Sequence, residues 1–176
     1  MRFIHYVLLP FIMSLHIFVS LPPASADVTP PKTDTILIKQ CDFLTFRLAV
    51  MKANRTNQDI SFACDGIIHF THQMHIRGDF KIDGASNITL DGGKKTRLFY
   101  IHAGALLVLE GVVVQNGYND GSFENTVTNV VFRTSFGGAI QNDGDLTLIG
   151  CFFTHNSVLA SNPNYSGYGG AISNSG

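Results

Sequence analysis

Phe136 to Asn156, FGGAIQNDGDLTLIGCFFTHN, is the stretch that decides the reading, because its pattern recurs on both sides. It carries Ile140, then Leu146 and Leu148 spaced by one residue, then Gly150. The same order stands at Ile101, Leu107, Leu109, Gly111 and at Ile82, Ile88, Leu90, Gly92, always at +6, +8 and +10 from the isoleucine. A further copy opens at Ile172 and runs to Gly176. Self-similarity at a short period is the signature of a repeat architecture. In a strand successive side chains alternate faces, so each aliphatic pair points inward together. A second inward set follows the glycine, Val112 and Val114 in one copy, Cys151 and Phe153 in the next. Ile82 and Ile101 are 101 − 82 = 19 residues apart, too few for a βαβ unit of roughly thirty. The expectation is a solenoid of stacked parallel strands in which Ile82, Ile101, Ile140 and Ile172 stand above one another.

The later copies are longer, 140 − 101 = 39 and 172 − 140 = 32 residues. The excess locates two insertions, Gly117 to Phe136 and Ser157 to Tyr168, each after an asparagine and before a glycine-rich return. Repeat insertions collect on one face, which is often the binding face. Tyr118, Phe123, Tyr165 and Tyr168 supply aromatic contact surface there.

Ahead of the repeats, residues 1–26 read as a secretory signal peptide: a basic start at Arg2, an apolar run from Phe3 to Leu21, and the small-residue site Ala24-Ser25-Ala26. Residues 27–41 read as a linker rich in Pro and Thr, and 42–79 as a helix with the first strands. Residues 80–176 are the repeats, cut off at the C-terminus where the next aliphatic pair is due. Asp42 is the expected cap of a helix over DFLTFRLAVMKAN, placed to cover the first apolar row. Cys41 and Cys64 are a candidate disulfide in an oxidising compartment, and Cys151, at the place Val112 fills in the preceding copy, reads as a small apolar filler. Charged residues make up 14% of the chain and the net charge is −1, which points to neither nucleic acid nor an anionic membrane as partner. His69, His72 and His75 fall every third residue of a strand-like run. On a strand such neighbours face opposite ways, so the spacing predicts solvent-facing histidines and no metal site.

Gly137-Gly138-Ala139-Ile140 with Phe153-Thr-His-Asn156 resembles the GGA[ILV] and FxxN repeat of the polymorphic outer-membrane proteins of chlamydiae. Gly169-Gly170-Ala171-Ile172 matches the first half of a second unit, and Val113-Val-Gln-Asn116 is a degenerate second half. Other bacterial surface proteins with right-handed parallel β-helices look similar. The resemblance implies an all-β, right-handed parallel β-helix of the pectin-lyase-like kind, here with an N-terminal capping helix. It also implies a surface-exposed passenger region of adhesive role, secreted or outer-membrane associated, whose partners are a host or neighbouring-cell surface protein or glycan. The resemblance further implies that such a region is carried by C-terminal repeats or a barrel anchor, which are expected here as missing partners.

The same fold hosts polysaccharide lyases and hydrolases, so paired carboxylates matter. Asp91 and Glu110 hold the same repeat position beside the glycine, which would set them about 4.8 Å apart on adjacent strands. Among Asp83, Asp91, Glu110, Asp143 and Asp145 they are the best pair and the weak catalytic candidates; an acidic outer edge that discourages strand addition is the better reading of them. The sequence points to a non-enzymatic scaffold without cofactor that contacts partners through 117–136 and 157–168. The alternatives are a polysaccharide-active enzyme, or a non-functional fragment of a longer surface protein.

Overall fold

Asp42 is in extended conformation and starts the helix. Its Oδ1 accepts the Thr45 N–H at 2.9 Å and its Oδ2 the Thr45 hydroxyl at 2.7 Å. The structure is a computed structural model that describes residues 34–120, 135–159 and 167–176. The expected signal peptide, the first part of the linker and the bodies of both insertions lie outside them.

In chain order, β1 (Ile36–Ile38) precedes helix α1 (Phe43–Thr56), which is followed by β2 (Ile60–Phe62), β3 (Gly66–His69) and β4 (Met74–Ile76). Next come β5 (Phe80–Asp91), β6 (Phe99–Ile101), β7 (Leu106–Gln115) and β8 (Tyr118–Asn119). After the first insertion stand β9 (Ser135–Phe136), β10 (Ile140–Asn142), β11 (Asp145–Ile149), β12 (Phe152–Thr154) and β13 (Ser157–Val158). Past the second insertion, β14 (Gly167–Tyr168) and β15 (Ile172–Asn174) close the described chain.

Helix α1 buries Phe46, Ala49, Val50 and Ala53, spaced three and four apart, against β1 to β4. It ends at Asn57, left-handed at φ 55°, whose N–H bonds the Ala53 carbonyl. A disulfide joins Cys41, just before the helix, to Cys64, just after β2.

All strand pairs among the described residues are parallel, but they do not build the expected right-handed parallel β-helix, a pectin-lyase-like solenoid behind a capping helix. The strands fall into separate sheets of seven, four, two and two strands. The four isoleucines do not share one row either. Ile140 pairs with Ile172 in the four-stranded sheet, but Ile101 stands beside Asn142 there. Ile82 lies in the seven-stranded sheet between Ile60 and Leu109.

The cause lies in β5. From Ile101 to Leu107 the chain crosses from one sheet to another, whereas Ile82 and Ile88 belong to one twelve-residue strand, so equal sequence offsets measure different paths. The bend of β5 comes between Asp83 and Ile88, where Ala85 and Ser86 adopt φ of 47° and 65°. They do what Gly111 and Gly150, both at φ 58°, do in the later copies. The counterpart of Gly111 in the first copy is therefore the Gly84–Ser86 bend and not Gly92.

The core follows this register. Ile60, Ile82 and Leu109 form one row, continued by Leu148; Ile68, Leu90 and Val114 form another, continued by Phe153. The first three members of each row are fully buried. Burying each such side chain contributes about 1.5–3 kcal/mol before the entropy of ordering it is counted. Leu148 is 39% exposed.

Candidate functional site

The two carboxylates expected to face each other are held apart. Asp91 pairs in register with Gln115, whereas Glu110 pairs with Asp83 and Ile149. Asp91 Oδ1 accepts the Gly93 N–H at 2.7 Å and Asn116 Nδ2 at 3.1 Å; Oδ2 accepts Gln115 Nε2 at 3.0 Å. Burial pushes its pKa up, but these bonds and the nearby His69 outweigh it and hold the carboxyl below the usual range. Glu110 instead accepts Lys81 Nζ at 2.8 Å, and the same ammonium reaches Asp83 at 3.2 Å. The bond to Glu110 is the main reason the Lys81 pKa is raised. One carboxylate closes a turn and the other belongs to a surface ion row, so they cannot act as an acid and base on one bond.

The glycines and asparagines of the repeat motif shape backbone. Gly137 sits at φ 50°, and a Cβ there would run into the Ile140 carbonyl. Gly138 donates its N–H to Gly170, and Ala139 to Ala171, so the two GGAI segments lie side by side, with Ala139 and Ile140 buried. Gly169 and Gly170 are exposed, and Ile172 is half-buried against the core. Asn156 accepts the Gly117 N–H at 2.7 Å and donates to the Val114 carbonyl at 2.9 Å, tying the start of one insertion to the start of the other. Asn116, at φ 52°, turns the chain and donates to Asp91. Asn142 is buried and its amide bonds both the Gly144 carbonyl and Asn174. Phe153 packs against the core, and the Cys151 thiol donates to the Leu109 carbonyl at 3.3 Å.

Both insertions are rooted in paired strands. They depart along β8 and β13, which pair as Tyr118 with Ser157, and return along β9 and β14, which pair as Phe136 with Tyr168. The Phe136 and Tyr168 rings stack with centroids 5.7 Å apart, and Asn119 Nδ2 bonds the Phe136 carbonyl at 2.8 Å across the base of the first insertion. Phe123 and Tyr165 lie outside the described residues.

Sequence reasoning missed one cluster. The outward row of the four-stranded sheet runs His75, Tyr100, Gln141, Ser173. His102 and Asp143 follow just beyond β6 and β10. His75 Nδ1 lies 2.9 Å from His102 Nε2, and the Tyr100 hydroxyl donates to Asp143 Oδ2 at 2.6 Å. Ser175 Oγ donates to Asp143 Oδ1 at 2.7 Å. Burial lowers both histidine pKa values, with Arg77 adding to it in each case. The bond to Asp143 raises that of Tyr100. Beneath the cluster Arg97 holds the Phe136 and Gly137 carbonyls and Gln73, and burial brings its pKa down to about 10. Only the alternation of β6 and β10 hinted at this row, and the misaligned copies hid which residues are neighbours.

No family model, curated protein or solved structure matches this chain.

Proposed function

We propose that the chain is a secreted or cell-surface scaffold that performs no covalent chemistry and adheres to a surface protein or glycan through its two insertions. The observation that carries this reading is the pairing of β8 with β13 and of β9 with β14, which sets the bases of both insertions side by side. Two neighbouring loops offer a broader contact surface than either alone, and loops held on a rigid scaffold are common recognition elements. The Cys41–Cys64 disulfide favours an oxidising, extracytoplasmic compartment. The separation of Asp91 from Glu110 speaks against glycosidic-bond cleavage by that pair.

Binding of the purified protein to immobilised glycans and intact cells tests the proposal. The comparison is a variant in which residues 121–134 and 160–166 are each replaced by a short Gly-Ser link. Binding that disappears with the loops supports adhesion; binding that survives their removal contradicts it. Sugar release from pectin or other polyuronates by wild type but not by Asp91→Ala would replace the scaffold with an enzyme.

A further inference from the structure

A second surface feature lies away from the insertions and does not depend on the adhesive reading. A cleft of about 270 Å³ opens between helix α1 and strand β4. Arg47 comes from the helix, Arg77 from just beyond the strand, and His72 and His75 from the strand and the turn before it. No aspartate or glutamate lines it. Among the described residues neither guanidinium has a carboxylate at ion-pair distance, and both are exposed. The remaining wall is mixed, with Val50, Met51 and Met74 beside the amides of Asn54 and Gln73.

The width of this cleft is fixed by the backbone. Asn54 donates from Nδ2 to the His75 carbonyl at 2.8 Å, and its Oδ1 accepts the Arg77 N–H at 2.8 Å and the Gly78 N–H at 3.2 Å. One helical side chain thus clamps the strand on both sides of Arg77. Asn57 adds a second tie through the Asp79 N–H at 2.9 Å. The clamp ties the segment that carries Arg77 to the helix that carries Arg47 without using either charge. Arg77 is close enough to His75 to depress its pKa, after the larger effect of burial. An oxyanion that reaches both guanidinium groups would gain a charge-assisted bond from each.

We propose that the cleft binds a compact organic oxyanion. Its carboxylate, sulfate or phosphate would lie between Arg47 and Arg77, and its body against Val50, Met51 and Met74. Guanidinium groups suit planar or tetrahedral oxyanions because their N–H groups form a fixed fork. The volume lies below the usual range for drug-sized ligands and suits a single sugar acid or small aromatic acid.

Calorimetric titration of the purified protein with glucuronate, with benzoate and with inorganic sulfate, against glucose and benzyl alcohol as neutral counterparts, tests this. Amide chemical shifts recorded alongside locate the site. Saturable binding of either acid is expected, with shifts at Asn54, His72 and Arg77 and no binding of its neutral counterpart. Arg47→Ala and Arg77→Ala should each weaken it by at least about tenfold, as loss of a charge-assisted bond implies. Both side chains are exposed, and unchanged thermal unfolding of the variants certifies their fold. Failure of both acids to bind, equal binding of the neutral compounds, binding of inorganic sulfate alone, or indifference to both substitutions would each overturn the proposal.

Discussion

Asn156 shows how much one side chain settles in this molecule. It gives one bond to the Val114 carbonyl and takes one from the Gly117 N–H, at the point where both insertions leave their strands. Asn156→Ala strands a carbonyl and an amide in a half-buried place, so a loss of about 1–3 kcal/mol is expected in denaturant unfolding. Asn156→Asp keeps the acceptor but loses the donor, and should fall between wild type and alanine. At the same scale, His75 and His102 should give stability a pH dependence. The groups around His75 are Arg77, Arg97 and His102, with Tyr100 in ring contact, and His102 also feels Asp143. Both folded pKa values lie below the ordinary 6.5. The unfolded chain therefore binds more protons below that pH, and stability falls as pH drops from about 6.5 through the folded values. Unfolding midpoints measured from pH 7.5 to pH 5 should decline in wild type and decline less in the His75→Gln, His102→Gln double variant.

At the scale of elements, the bends between strands decide the register. Gly111 and Gly150 have the same φ of 58°, but a Cβ on Gly111 would lie 2.9 Å from the Ser86 amide nitrogen, whereas one on Gly150 meets nothing within 4 Å. Gly150→Ala should cost only the left-handed conformation, about 1 kcal/mol, and Gly111→Ala clearly more, because the neighbouring strand must also shift. The same bends explain what the sequence could and could not tell. Helix α1 was legible because Asp42 caps it and Phe43, Phe46 and Val50 keep helical spacing, but its buried stripe runs on through Ala49 and Ala53 and leaves Leu44, Leu48 and Met51 exposed. The match of Leu146 and Leu148 to Leu107 and Leu109 was legible because both copies mark the bend with glycine. The first copy was misread because Ala85 and Ser86 hold positive φ without being glycine, which moved Gly92 into a role it does not have. That slip also set Asp91 opposite Glu110 and hid the His75–Tyr100 row. The division into separate sheets was not legible, since offsets along the chain do not report when a strand changes sheet.

At the scale of the whole molecule, the disulfide and the unequal burial of the two ends of the core matter most. Cys41 and Cys64 are 23 residues apart and enclose α1 and β2. Loop-closure entropy predicts about 3 kcal/mol of stabilisation from this link. The Cys41→Ala, Cys64→Ala double variant should lose roughly that amount in equilibrium unfolding, while wild type under reducing conditions should approach it. The rows of the seven-stranded sheet are dry at Ile60, Ile82 and Leu109 but partly wet at Leu148, and Ile149 and Phe152 beside it are exposed. Amide exchange should accordingly be slowest in β5 and β7 and fastest in β11, β12 and β15, with the difference persisting at every pH where the protein is folded.

This gradient gives the molecule a direction under load. Pulled by its two ends, it should give way first at the wet rows, peeling one strand at a time in low-force steps. The part knotted to the helix by Cys41 and Cys64 should hold until last and then yield in one larger event.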